Sequence, residues 1–197
     1  IARSERGDVA VASEGGHTAF APLDEVEVQI WNFLHAKYGR VSNERILSGA
    51  GMYDLYQALA QVRGAEPTLA DQKEVMTHGL DGDELASETL DRFAAILGSV
   101  AGDLALTYGA RGGVFVAGGI APRMADRLVA GPFRQRFEDK GRFSEYVKAI
   151  PTYVITAPNA TFFGASAILE AQLRTIEGSA ASAILEQIRR ALPGLSP

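Results

Sequence analysis

The chain has 197 residues, 47% hydrophobic and 22% charged, with mean hydropathy near zero. That is the balance of a globular domain large enough to bury one core. A net charge of −5 and the scarcity of Lys/Arg clusters exclude a nucleic-acid footprint. No apolar run approaches the ~18 residues of a membrane span, and the absence of cysteine removes disulfides, thiolate-bound zinc and thiol catalysis together.

Taken in chain order, Asp8–Ala12 reads as a short strand, and Arg6-Gly7-Asp8 as a turn with a hairpin partner in or before Ile1–Glu5. Asp24 is placed to cap a helix to about Tyr38, where Val26, Ile30, Leu34 and Tyr38 recur every four residues, Trp31 and Phe33 widen the stripe, and Gly39 ends it. A second helix is predicted from Gly51 to about Val62, with Met52, Leu55, Tyr56 and Leu59 on one face, broken by Gly64-Ala65-Glu66-Pro67. Thr68 is expected to cap a short helix through His78, before a turn at Leu80-Asp81-Gly82.

The longest periodic stretch, Asp83 to Tyr108, predicts one long helix. Gly98 and Gly102 inside it each cost about 1 kcal/mol relative to Ala, which predicts a close contact with another element there. Val114–Ala117 is a continuous apolar run between glycine pairs, as in a central strand buried on both faces. Helices are expected near Arg123–Val129 and Pro132–Glu138, a second central strand over Thr152–Thr156, a helix over Thr161–Leu173, and an amphipathic helix from Gly178 to Leu192. The sum is α/β with more helix than strand.

Ser13-Glu14-Gly15-Gly16-His17-Thr18 sets a carboxylate and an imidazole three residues apart around two glycines. A carboxylate accepts from two neighbouring hydroxyls, and a neutral imidazole donates from one nitrogen and accepts at the other, so the pair suits a polyhydroxylated ligand. Ser42-Asn43-Glu44-Arg45 adds a carboxylate one helix later, and Ser48-Gly49-Ala50-Gly51 a Gly-rich turn that caps a helix or touches a ligand. Val114-Phe115-Val116-Ala117-Gly118-Gly119-Ile120 ends an apolar strand in bare backbone before a helix, an arrangement where a nucleotide can lie. Glu138-Asp139-Lys140 reads as a solvated helix end, and His35 and His78 as helical histidines without ligand partners.

These segments, with Phe133-Arg134-Gln135-Arg136-Phe137 after them, resemble in order and separation the bacterial glucokinases that lack a zinc motif, from about Asp8 to about Leu173. The cysteine-free sequence is unlike the ROK sugar kinases, which usually carry a Cys-rich zinc loop after a similar motif. The resemblance implies the C-terminal domain of the actin-like, ribonuclease H-like ATPase fold, a mixed sheet flanked by many helices. It implies that the chain is a single such domain, 1–197. The Asp base and both phosphate loops of that family would belong to an N-terminal domain absent from this chain.

By the same resemblance Glu14, His17 and Glu44 are the sugar ligands, with Gly16 admitting the sugar close to the backbone. Gly118, Gly119 and Ile120 are the adenosine-contacting residues. The implied activity is ATP-dependent phosphorylation of glucose to glucose 6-phosphate, the entry step of glycolysis, in the cytoplasm. The partners are glucose and ATP with Mg²⁺, the metal held by phosphates and water rather than by a protein site, and the assembly is a homodimer. No nucleic acid or membrane partner is expected, no catalytic residue is assigned within these residues, and the chain by itself is expected to be inactive. Two alternatives stay open: a kinase for another hexose, and a non-catalytic sugar-binding or sensing module.

Overall fold

A computed structural model describes residues 2–4 and 7–174, with 184, 186–188 and 190–191 of the C-terminal stretch. The chain falls into two compact units, Ile1–Val154 and Ile155–Pro197. In the first, β1 (Ala2–Ser4) and β2 (Gly7–Val9) form an antiparallel hairpin with Ala2 opposite Val9. The hairpin was expected, but the strand covers Gly7–Val9 rather than Asp8–Ala12.

Helix α1 (Glu25–Tyr38) starts where the Asp24 carboxylate accepts from the Glu27 N–H at 2.8 Å, and ends at Gly39 with φ of 74°. A short α2 (Asn43–Ile46) is capped by Ser42, and α3 (Gly49–Arg63) by Ser48, whose Oγ accepts from the Gly51 N–H at 3.0 Å. Met52, Leu55, Tyr56 and Leu59 of α3 are all buried. Helix α4 (Gln72–Leu80) begins later than Thr68. Asp71 is the stronger cap: its carboxylate accepts from both Lys73 and Glu74 N–H groups, while Glu74 reaches back to the Ala70 N–H.

Helix α5 (Glu84–Tyr108) is the axis of the unit, with α3 and α4 packed on it, and on it also α7 (Phe133–Glu138), which follows α6 (Ala125–Ala130). The expected close contact is present. A Cβ at Gly98 would lie 2.1 Å from the Phe133 carbonyl oxygen, and one at Gly102 2.5 Å from that of Phe137, so backbone rests on backbone. Lys140 is not part of a solvated helix end: its side chain is 7% exposed and its ammonium meets Asp103 at 2.8 Å and the Ser99 carbonyl at 3.1 Å on α5.

A buried charge network also ties the helices. Glu27 is fully buried; its Oε2 accepts from the Leu23 N–H at 2.9 Å and from Arg136 at 3.1 Å. Arg92 reaches Asp24 from α5, and Arg136 also donates to Ser99 Oγ at 3.0 Å. Burial on its own raises the Asp24 carboxyl, but the Glu27 N–H and the Arg92 guanidinium outweigh it and hold Asp24 below its ordinary 3.8.

After α8 (Ser144–Lys148), β4 (Thr152–Val154) pairs in parallel with β3 (Val114–Val116), Phe115 beside Tyr153. Here the expectation of strands buried on both faces is corrected. Phe115 is 61% exposed and stacks on Tyr153 with ring centroids 4.9 Å apart. Among the described residues β3 pairs with β4 and β1 with β2, two separate two-stranded sheets rather than one mixed sheet. In the second unit α9 (Ala160–Arg174) matches the expected helix. Of the helix expected over Gly178–Leu192, the described residues are helical and the others lie outside the described set. Among the described residues no helix is long and apolar enough to cross a membrane.

Candidate functional site

Two short elements carry the carboxylates and the imidazole. Gly15–His17 is a single 3-10 turn, closed by the His17 N–H on the Glu14 carbonyl at 3.0 Å and the Thr18 N–H on the Gly15 carbonyl at 3.2 Å. Glu44 stands in the first turn of α2, where a negative side chain is favoured by the helix dipole. The chain leaving the 3-10 turn runs antiparallel to the chain entering α2: Ala19 bridges Ser42, and the Phe20 N–H donates to the Val41 carbonyl at 3.1 Å.

This local pairing brings His17 between the two glutamates. His17 Nδ1 is 3.1 Å from Glu44 Oε2, and Nε2 is 3.8 Å from Glu14 Oε2. The first distance is within ion-pair reach, whereas the second is too long for a direct hydrogen bond. All three side chains are more than half exposed, so their mutual attraction adds little to stability. They are acceptors and a donor held open to solvent, as recognition of hydroxyls requires. A Cβ at Gly16 would lie 3.5 Å from the Glu44 Cβ, in ordinary contact. The bare backbone there keeps free the space between the turn and Glu44.

A cleft of about 410 Å³ opens beside this cluster, lined by His17 and Glu44 together with Arg40, Arg45, Ser48 and Asp54 among others. Glu14 is not among the residues that line it, and its side chain is 88% exposed. On the far wall the buried Asp54 carboxylate accepts from Tyr38 Oη at 2.6 Å and Lys37 Nζ at 2.7 Å. The hydrogen bond to Asp54 is the main cause that holds the Lys37 ammonium above its ordinary value. Arg45 lies over the Tyr38 ring, 4.2 Å from its centroid. The Ser48-Gly49-Ala50-Gly51 turn caps α3 and reaches this cleft through Ser48, Ala50 and Gly51.

Gly118, Gly119 and Ile120 are not brought into the cleft. Gly118 has φ of 110°, a Cβ on either glycine would meet nothing within 4 Å, and Ile120 packs against the core. Bare backbone with open space does follow the carboxyl end of β3. What comes next is a 3-10 turn (Ala121–Met124) and then α6, close to the helix expected near Arg123–Val129. Glu138 pairs with Arg134, and His35 stacks on Trp31, so neither joins the cluster. Among the described residues no group of three or more His, Asp or Glu side chains could hold a metal ion.

Three polar residues near the cluster carried no role in the sequence reading. Arg40 donates to the His17 carbonyl at 2.8 Å, Asn43 Nδ2 donates to Thr18 Oγ1 at 2.9 Å, and Thr18 Oγ1 donates to the Gly15 carbonyl at 2.7 Å. Side-chain bonds of this kind have no periodic signature; the Ser42 cap is the one local signal that α2 begins where it does.

The glucokinase family profile matches residues 1–172. A glucokinase of Caulobacter sp. (strain K31) is 50% identical over 159 residues, covering 81% of this chain and 48% of the relative. One from Neisseria meningitidis is 48% identical over 177 residues, covering 89% of this chain and 54% of the relative. The chain thus spans about half the length of the curated relatives it matches. Among solved structures, a glucokinase from an Antarctic psychrotroph superposes with a TM-score of 0.79 at 37% identity, covering 85% of this chain and 52% of that one. A Balamuthia mandrillaris glucokinase in complex with glucose shares the fold, with a TM-score of 0.68 at 18% identity.

Proposed function

Since the chain belongs to the glucokinase family, we propose that it supplies the sugar grip of an ATP-dependent kinase that converts glucose to glucose 6-phosphate. The observation that carries this reading is the imidazole of His17 between the carboxylates of Glu14 and Glu44. Each carboxylate accepts from hydroxyls of the sugar, and the His17 imidazole between them adds a donor and an acceptor. Binding several hydroxyls at once fixes the ring, and a fixed ring positions the attacking hydroxyl, which is how such sites convert binding into rate.

Phosphoryl transfer also needs a base and a phosphate cradle. No residue of this chain is assigned to either, and on this reading they reside in the part of the relatives that the chain does not span. The Gly118-Gly119-Ile120 turn is the proposed seat of the adenosine, where bare backbone lets a flat ring approach. Mg²⁺ arrives with ATP and is held by phosphates and water. The same reading takes the chain as the C-terminal domain of the actin-like ATPase fold, working in the cytoplasm as a homodimer. Light scattering across a dilution series tests the assembly.

The deciding experiment is a coupled assay of glucose 6-phosphate formation by the full-length protein, with calorimetric titration of glucose. The expected result is ATP-dependent turnover lost in Glu44→Ala, with glucose affinity reduced. Glucose binding without turnover would favour the sensing module, and turnover faster with mannose or fructose would favour another hexose. A protein that binds no glucose would overturn the assignment.

A further inference from the structure

We propose that Thr18 and Asn43 are positioning residues for sugar binding. Their hydroxyl–amide hydrogen bond sets the separation between the turn carrying Glu14 and His17 and the helix carrying Glu44. The inference rests on the reading of this cluster as a sugar grip.

The Thr18 hydroxyl has one proton, and it is spent on the Gly15 carbonyl at 2.7 Å. What it offers Asn43 is therefore a lone pair, and Asn43 Nδ2 donates to it at 2.9 Å. The Asn43 N–H donates to the Thr18 carbonyl at 3.0 Å. Asn43 is thereby fastened to Thr18 twice, and Thr18 to the turn itself. Asn43 is buried at 8% exposure, while the side chains of His17 and Glu44 face solvent. Each anchor is the sequence neighbour of a ligand-bearing residue: Thr18 of His17, Asn43 of Glu44. Neither is required to touch the sugar.

The backbone bonds elsewhere do not substitute for this relay. The Ala19–Ser42 bridge and the Phe20–Val41 bond hold the chain after the turn. Within the turn there remain its own two 3-10 bonds and the Arg40 contact to the His17 carbonyl. Losing the relay leaves the Asn43 N–H bond to the Thr18 carbonyl as the remaining direct tie, so the fold stays intact while the turn loosens relative to Glu44. Since Thr18 is exposed, its substitution opens no cavity in the core.

The test compares Thr18→Val, Thr18→Ser and Asn43→Asp in the full-length protein, reading glucose affinity, KM for ATP and Tm. Val removes the hydroxyl at similar volume. Ser restores it. Asp sets a carboxylate against an oxygen whose proton is already engaged. The expected result is glucose Kd raised about two- to tenfold in the Val and Asp variants, the size of one net hydrogen bond. KM for ATP should stay unchanged, Ser should behave as wild type, and the Val/Asp double variant should be no worse than either single. Unchanged glucose affinity in Val and Asp overturns the proposal. So does Ser behaving as Val, which would make the methyl rather than the hydroxyl the working group, or KM for ATP rising in step with glucose. A wild-type protein that binds no glucose removes the sugar reading itself and this inference with it. Wild-type binding lost in Glu44→Ala but untouched in Thr18→Val removes this inference alone.

Discussion

Arg136 of α7 sets Nη2 2.9 Å from Oε1 of Glu27 of α1, a carboxylate with no exposure to solvent. Arg92 stands 3.7 Å from the same oxygen. Oε1 has no hydrogen bond of its own, so its compensation is the charge of the two guanidinium groups. Removing one partner of such a pair leaves a buried charge exposed to low dielectric, whereas removing both is far milder.

Arg136→Ala is therefore expected to destabilise the protein by about 3–5 kcal/mol. Arg136→Met paired with Glu27→Leu should recover much of that loss. Urea unfolding midpoints at constant m-value measure both. A single variant as stable as wild type would show that water reaches Glu27.

Gly98→Ala should cost about 1–3 kcal/mol through overpacking, because the new methyl meets the Phe133 carbonyl rather than a movable side chain. The gain of about 1 kcal/mol in helix propensity does not offset a backbone clash. Gly119→Ala is the control, since nothing lies within 4 Å of its Cβ. Its Tm should stay near wild type, while KM for ATP rises if adenosine lies on this backbone.

Glu14→Gln should lower kcat/KM for glucose by roughly tenfold or more, since hydrogen bonds to charged groups are worth about 1.5–3 kcal/mol. Glu138→Gln loses only a pairing with Arg134 on its own helix and should change kcat/KM little. Equal effects in steady-state kinetics would make the Glu14 turn a structural element.

Asp24 gives stability a defined acid limb. Its carboxyl is lowered in the fold by the Glu27 N–H and Arg92 against the opposing effect of burial. The stabilisation is complete above its ordinary value of 3.8 and is lost as pH falls through the lower folded value. Thermal melts from neutral to strongly acidic pH should show a shallower acid decline in Asp24→Asn than in wild type. Identical slopes would place the acid sensitivity elsewhere.

Much of this fold is legible in the residues themselves. Asp24 and Gly39 bound α1, and Gly98 and Gly102 announce the contact with α7. The start of α4 was misplaced because Thr68 and Asp71 compete as caps, and a second cap bond with the reach-back of Glu74 decides for Asp71. Periodicity could not reveal Glu27 as buried, since its partner Arg136 is distant in sequence. Nor could the apolar run of β3 show that Phe115 faces outward, because cover depends on what else packs there. At the candidate site, the spacing of Glu14 and His17 is visible in the sequence, and the fold sets the imidazole beside both glutamates. The approach of Glu44 depends on the bridge between Ala19 and Ser42, which no local pattern encodes.

Gly51, at the start of α3, is buried, and a Cβ there would lie 2.3 Å from the Arg45 carbonyl oxygen and 2.4 Å from that of Ile46. The last carbonyls of α2 thus rest on a bare Cα, and Glu44 inherits its place from that seat. In a saturation scan read only by growth, position 51 would be indistinguishable from a ligand-binding residue. Paired with a measurement of protein abundance, the two would separate. Variants at Glu44 should accumulate normally and fail in turnover, while variants at Gly51 should fail in both, because the defect there begins in the backbone before any sugar arrives.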